Sequence, residues 1–357
     1  MKWKKLRLRT TTEALDYLGA IAMDLELEGF EIEDNVPLTE DEKKRMFIDI
    51  LPELPPDEGI AYVSFYVDPD VDEKGLEARI RECAEDYSGL CDFGAMKLEV
   101  TLEDDNNWIN NWKEFFKPFR IDDSIVIKPT WEEYVPGSLP RAGEAGSAYE
   151  TGGASETVSA SETGTAHPDE IVIDIDPGTA FGTGAHETTK LCILALKKYM
   201  KSGDRVLDLG CGSGILSIAA MKLGAESVLG IDIDEIAVDT SVENAGVNAI
   251  SAERCEKAVI PQKGKTVFIK GNVLTEDDLC KDLKCFEVDV VVANILADVI
   301  IPLSAGAGNF MKDGGLFISS GIINTKEEAV KEAVLTNGFE IVEVLHMNDW
   351  VSIVAKK

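Results

Sequence analysis

A short apolar run broken at once by glycine constrains this chain more than any other feature. Val206-Leu207-Asp208-Leu209 reads as a strand with no polar alternation, followed by Gly210-Cys211-Gly212-Ser213-Gly214 and then the helical Ile-Leu-Ser-Ile-Ala-Ala. A buried strand must therefore turn directly into a helix, and glycines permit that turn while letting backbone approach a ligand. The same rhythm holds from Glu170 to Lys357. Val228–Ile231, Thr266–Ile269, Val288–Ala293 and Leu316–Ser319 are further apolar runs, as expected of parallel strands covered on both faces. Helical stretches at Gly214–Leu223, Asp234–Ala249 and Ala297–Met311 fall between them. Phe339–His346 and Trp350–Ala355 complete the region as a hairpin. These patterns predict an α/β class, doubly wound domain over 170–357.

Such sheets bind ligands beyond the carboxyl ends of their strands. Asp232 ends the second strand eighteen residues after Gly214, where a carboxylate can accept hydrogen bonds from ribose hydroxyls. The dinucleotide pattern Gly-x-Gly-x-x-Gly needs its third glycine where Ile215 stands. Asp-x-Gly-x-Gly-x-Gly instead favours an adenosyl ligand without a pyrophosphate, and a dehydrogenase is the alternative.

Two more segments carry polar groups toward that crevice. Asp176–Thr189 contains Phe181-Gly182-Thr183-Gly184, which implies a tight loop, and Thr183, Thr188 and Thr189 supply hydroxyls at a helix start. His186 is a candidate general base, although a lone loop histidine reads first as a hydrogen-bonding scaffold. Asn294 follows the apolar run Val288–Ala293, and its amide can both accept and donate.

The N-terminal part is built differently. Residues 3–10 alternate apolar and basic, Thr12–Glu28 has helical spacing, and Phe30–Glu33 and Ile60–Val67 read as strands. A helix over Glu73–Tyr87 and a strand over Ala95–Leu102 complete a β-α-β-β-α-β order, which predicts a ferredoxin-like α+β domain over 1–103. Residues 104–135 form a connection whose Trp108, Trp112, Phe115 and Phe116 share one helical face. Residues 136–169, rich in Gly, Ser, Ala, Thr and Glu, predict a flexible insert.

Composition narrows the function. Seven scattered cysteines without a Cys-x-x-Cys pair, and three histidines, argue against a disulfide framework or a metal site. The chain has neither an eighteen-residue apolar run nor a signal-peptide core, which predicts a cytoplasmic protein without a membrane partner. A formal charge of −31 disfavours direct contact with nucleic acid and suits a basic partner, though simple solubility explains it as well.

Taken together, Asp176-Pro-Gly-Thr-Ala-Phe-Gly-Thr-Gly-Ala-His-Glu-Thr-Thr189, Asp208–Gly214 and Ala293-Asn-Ile-Leu-Ala297 make the chain resemble the PrmA family, over nearly its whole length. That family methylates the eleventh protein of the large ribosomal subunit. The resemblance implies a class I, Rossmann-like methyltransferase domain using S-adenosylmethionine, behind a ferredoxin-like domain that recognises a basic ribosomal protein. It implies cofactor contacts at Thr189, Gly210, Asp232 and Asn294. Gly212 and the Phe181-Gly182-Thr183 loop are expected beside them, with Asn272 reaching the adenine edge. Asn294 is the expected amine-positioning residue of an N-methyltransferase acting on lysine and N-terminal amines. A methyltransferase for a small amine or another protein, and a non-catalytic ribosome-associated module, are the competing readings. Glu187 replaces a proline found in many family members, which predicts a looser loop.

Overall fold

The computed structural model describes residues 2–25, 27, 30–37, 55–87, 89–104, 113, 116–139, 170–176 and 182–357. Trp108, Trp112, Phe115, residues 140–169 and Phe181 lie outside them. The chain divides into two compact units, Met1–Phe115 and Phe116–Lys357.

In the first unit, β1 (Lys2–Thr11), β2 (Phe30–Glu33), β3 (Ile60–Val67) and β4 (Lys97–Asp104) form an antiparallel sheet in the order β2-β3-β1-β4. Helices α1 (Leu15–Asp24) and α2 (Glu73–Tyr87) complete the ferredoxin-like order. The period-two pattern of β1 sends Leu6 and Leu8 into a core with Leu18, Ile21, Val63, Phe65 and Ile80. Arg7 on the opposite face stacks over Tyr62, 3.7 Å from the ring centre, and pairs with Glu33. Helix α1 is shorter than the spacing over Thr12–Glu28 predicts. Thr12–Ala14 is a 3₁₀ turn, and the far end closes where the Leu27 N–H donates to the Ala22 carbonyl, a C-terminal closure that ends the helix.

The second unit opens with a three-stranded sheet of β5 (Phe119–Arg120), β6 (Ile125–Pro129) and β7 (Ile171–Ile175), antiparallel then parallel. Its main sheet runs β10-β11-β9-β8-β12-β13-β15-β14. The strands are β8 (Arg205–Leu209), β9 (Ser227–Asp232), β10 (Ser251–Cys255), β11 (Lys265–Lys270), β12 (Val288–Asn294), β13 (Met311–Ile323), β14 (Glu340–Met347) and β15 (Trp350–Lys356). Strands from β10 to β13 pair in parallel, and β15 and β14 close the sheet antiparallel. The connecting helices are α3 (Glu187–Tyr199), α4 (Ile215–Lys222), α5 (Glu235–Val247), α6 (Asp277–Leu283), α7 (Ala297–Ala307) and α8 (Glu327–Thr336). Leu207, Leu229, Val267, Val291, Phe317 and Ile353 fill the core.

Three elements depart from the sequence pattern. Ser251–Cys255 adds an edge strand whose exposed polar side chains carry no apolar signal. Strand β13 reaches beyond Leu316–Ser319 at both ends: Met311 pairs with Val288 ahead of a bulge through Gly314 and Gly315, and Ile322 and Ile323 pair with β15. Helix α7 stops at Ala307, where Gly308–Phe310 tightens into a 3₁₀ turn.

The chain leaves β8 toward β9 on one side and returns through β12 on the other. That reversal opens a crevice at the carboxyl ends of β8 and β12, beside the end of β9.

Candidate active site

The glycine turn is held from below by backbone. The N–H groups of Gly210 and Cys211 both donate to the Ile231 carbonyl, at 2.8 and 3.1 Å, tying the end of β8 to β9. Gly210 has φ 78°, and a Cβ there would stand 2.5 Å from Ile295 Cγ2. Only glycine suits this position, because it combines left-handed backbone with a wall too close for a side chain. The Gly212 N–H donates to Asp232 Oδ2 at 2.9 Å, and the Asp234 N–H donates to Oδ1 at 3.0 Å. The half-buried Asp232 carboxylate is thus fixed in position against the turn.

A second set of bonds brings in the segment ahead of α3. Asn244 on α5 and Asn248, which caps that helix one turn later, pair with the backbone of Asp176 and Asp174 at 2.7–3.0 Å. Asn244 also donates to the Ser213 carbonyl at 2.9 Å, while Ser213 Oγ donates to the Gly182 carbonyl at 2.6 Å. The segment ahead of α3, the glycine turn and the end of α5, distant in sequence, therefore share one polar seam.

His186 caps α3, its Nδ1 accepting from the Thr188 N–H at 3.3 Å, and its ring meets Trp350 edge-on at 4.8 Å. Burial lowers its pKa and outweighs the pull of Glu187, so the ring is held neutral as a cap and wall. Glu187 is the first residue of α3. Its carboxylate sits at the N-terminus of α3 and accepts from Asn348 Nδ2 at 3.1 Å, tying the helix start to the β14–β15 turn.

These groups surround a cavity of about 620 Å³. Gly182, Thr189, Gly210, Gly212, Asp232, Asn272 and Asn294 all line it. Thr183 lies off the wall, where its Oγ1 accepts from the Ala185 N–H at 3.3 Å. Asn294 Nδ2 donates to the buried Thr189 Oγ1 at 3.1 Å, closing one end of the cavity. Asn272 lies at the other end, its Oδ1 accepting from the Leu274 N–H at 2.9 Å. The volume is that of a small-molecule site. An apolar wall of Ile233, Val273, Leu274 and Leu303, with one carboxylate and a glycine-rich backbone turn, fits an adenosyl group and its amino-acid tail. Among the described residues no cluster of histidine, cysteine or carboxylate groups could hold a metal.

Sequence patterns missed Trp350, Gly321 and Ile295 as wall residues. Trp350 begins a strand and gives no local sign of a ligand. Gly321 lies within β13, where an isolated glycine signals close backbone approach, here to Ile295.

The family model described as Ribosomal protein L11 methyltransferase (PrmA) matches residues 2–159 and 154–357. The Ribosomal protein L11 methyltransferase of Lachnoclostridium phytofermentans is 51% identical, with 100% of this chain and 99% of that protein aligned. Its counterpart from Agathobacter rectalis is 42% identical over the same shares. A crystal structure of ribosomal protein L11 methylase from Lactobacillus delbrueckii subsp. bulgaricus aligns with TM-score 0.50 at 27% identity, covering 67% of this chain and 98% of that one. With cavity, fold and full-length kinship in agreement, the chain belongs to the ribosomal protein L11 methyltransferase (PrmA) family.

Proposed function

We propose that this chain uses S-adenosylmethionine to methylate amine nitrogens, lysine side chains and N-terminal amines, of ribosomal protein L11. The observation that carries the reading is one cavity bounded by Asp232 and the glycine turn at one side and the Asn294–Thr189 pair at the other. The activity for which the family and its full-length relatives are named supplies the substrate.

The cofactor supplies an electrophilic methyl group on a sulfonium, open to direct displacement by an amine. Asp232, preset by the Gly212 N–H, accepts from ribose hydroxyls. Gly210 and Gly212 bring backbone against the amino-acid tail, and Asn272 meets the adenine edge. Because Thr189 engages the Asn294 amide nitrogen, the amide carbonyl is the end that accepts from the incoming amine and aligns its lone pair. Such alignment supplies several kcal/mol of rate enhancement. The amine loses its proton before attack, and partial burial favours that neutral form. Thr183 stands in the loop that leads into α3, next to the cavity-lining Gly182.

The ferredoxin-like unit recognises the protein substrate, and the charge of −31 favours a basic one. No helix among the described residues is long and apolar enough to cross a membrane. A cytoplasmic location follows from the substrate proposed.

The test is methyl transfer from labelled cofactor to purified L11, followed by mass spectrometry of the modified residues. Label on lysine and N-terminal amines, lost in Asn294→Ala, is the expected result. A folded, cofactor-binding enzyme that leaves L11 unlabelled would overturn the substrate.

A further inference from the structure

Beneath the glycine turn lies a carboxyl group that the cavity wall does not include. Asp208 of β8 is fully buried. Ser217 Oγ of α4 donates to its Oδ2 at 2.6 Å, and Oδ1 has no hydrogen-bond partner among the described residues. Its neighbours across the sheet are Gly230 of β9 and Val292 of β12, neither of which offers a charge. A half-satisfied carboxylate in such surroundings is unfavourable and is relieved by taking up a proton.

Burial pushes the Asp208 carboxyl up to about 7, against the opposing bond from Ser217 and with the charge of Asp232 adding to the rise. The titratable groups facing it are Asp232 at the end of β9, Cys211 in the turn and Cys192 on α3. Burial pushes both thiols up as well, so they stay neutral. None of the three brings a positive charge. The next residues, Leu209 and Gly210, are cavity wall, so a charge bound there is felt by this carboxyl through little intervening solvent.

We propose that Asp208 makes the site favour the cationic methyl donor over its neutral thioether product, releasing its proton to solvent when the sulfonium binds and regaining one once the methyl has left. This rests on the S-adenosylmethionine reading given above. Asp208 touches neither reactant and acts as a positioning residue through its charge. The sign follows from linkage. A cation in the cavity lowers the carboxyl pKa, so donor affinity falls as pH drops through about 7, by up to about tenfold from about pH 8 to about pH 6. Affinity for the neutral product lacks that dependence.

The experiment is calorimetric titration of the full chain with S-adenosylmethionine and with S-adenosylhomocysteine, near pH 6.5, in buffers of contrasting protonation heat. Proton release is expected with the donor and not with the product. Asp208→Asn, which keeps the shape without the charge change, should bind both ligands and lose the release. Ser217→Ala removes the hydrogen bond that favours the carboxylate and should move the midpoint of release to higher pH, which covers the case of an unfolded Asp208→Asn. Equal release with both ligands, unchanged release in Asp208→Asn, or a folded Asp208→Asn that binds neither ligand would overturn the proposal. A wild-type chain that binds neither ligand would overturn the cofactor reading and the proposal with it.

Discussion

Asn294 and Thr189 are 105 positions apart, yet the amide of one donates to the hydroxyl of the other at 3.1 Å. The bond joins the end of β12 to the first turn of α3 and fixes which end of the amide faces the cavity. Asn294→Ala should lower kcat by about a hundredfold, the scale of a misplaced reactant, while cofactor affinity changes far less. Thr189→Val keeps the shape but loses the acceptor, and should cost about 1 kcal/mol of stability plus a smaller loss of kcat. Steady-state kinetics with L11, beside calorimetry with cofactor, separates the two effects. A variant losing affinity and no kcat would contradict the positioning role.

Asp232 serves the turn and the ligand together, since it accepts from the Gly212 and Asp234 N–H groups. Asp232→Ala should weaken cofactor binding by about 1.5–3 kcal/mol, the worth of charge-assisted hydrogen bonds, which is about ten- to a hundredfold in Kd. Asp232→Asn should lose less, because its remaining carbonyl still accepts. Equal affinities for wild type and Asp232→Ala by calorimetry would remove Asp232 from the site.

The fold and the site are legible in the sequence where the signal is local. Val206–Leu209 and Gly210–Gly214 announce strand and turn within nine residues, a helix follows at once, and Asp232 ends the next apolar run. The edge strand Ser251–Cys255 was illegible because an exposed strand needs no apolar pattern. Trp350 reaches the cavity only through the antiparallel pairing of β15 with β13, a relation with no counterpart in local sequence. The family resemblance sets Thr183 beside the cofactor contacts, yet its hydroxyl turns to its own loop. Asp208 stood out in the motif, but its burial behind the wall is a property of the folded sheet.

Gly321 of β13 tests how closely backbones meet behind the cavity. It has φ 85°, and a Cβ there would collide with the Ile295 carbonyl oxygen, a backbone atom unable to rotate away. At Gly210 the obstacle is the Ile295 Cγ2 methyl, a side-chain atom that costs less to displace than backbone. Both alanine variants carry about 1–2 kcal/mol of left-handed strain. Gly321→Ala should therefore lower the melting temperature more than Gly210→Ala, while Gly210→Ala should lose more cofactor affinity. The reverse order in thermal unfolding would contradict the contact geometry.

Arg120 and Glu170 join the two flanks of the segment 140–169. Arg120 Nη2 donates to Glu170 Oε1 at 2.6 Å and to the Leu139 carbonyl at 3.4 Å, and the pair is 5% and 2% exposed. Tyr134 and the Gly137 N–H complete the bonds to Glu170 Oε2. Burial by itself would push the Glu170 carboxyl up. The bonds from Tyr134, Arg120 and Gly137 outweigh it and hold the carboxyl below its usual 4.5. A depressed folded pKa gives stability that is fully present above the unfolded value and is lost as pH falls through the folded one. Wild type should therefore lose stability on acidification below about pH 4.5, and Glu170→Gln should show a flatter acid limb. At neutral pH Glu170→Gln leaves the buried guanidinium without its countercharge and should cost about 3–5 kcal/mol in denaturant unfolding. Because the clamp closes on both flanks, replacing 141–168 with a short glycine-serine link should keep the wild-type midpoint. A large drop in that midpoint, with Arg120 and Glu170 intact, would show that the clamp alone does not hold this edge of the unit.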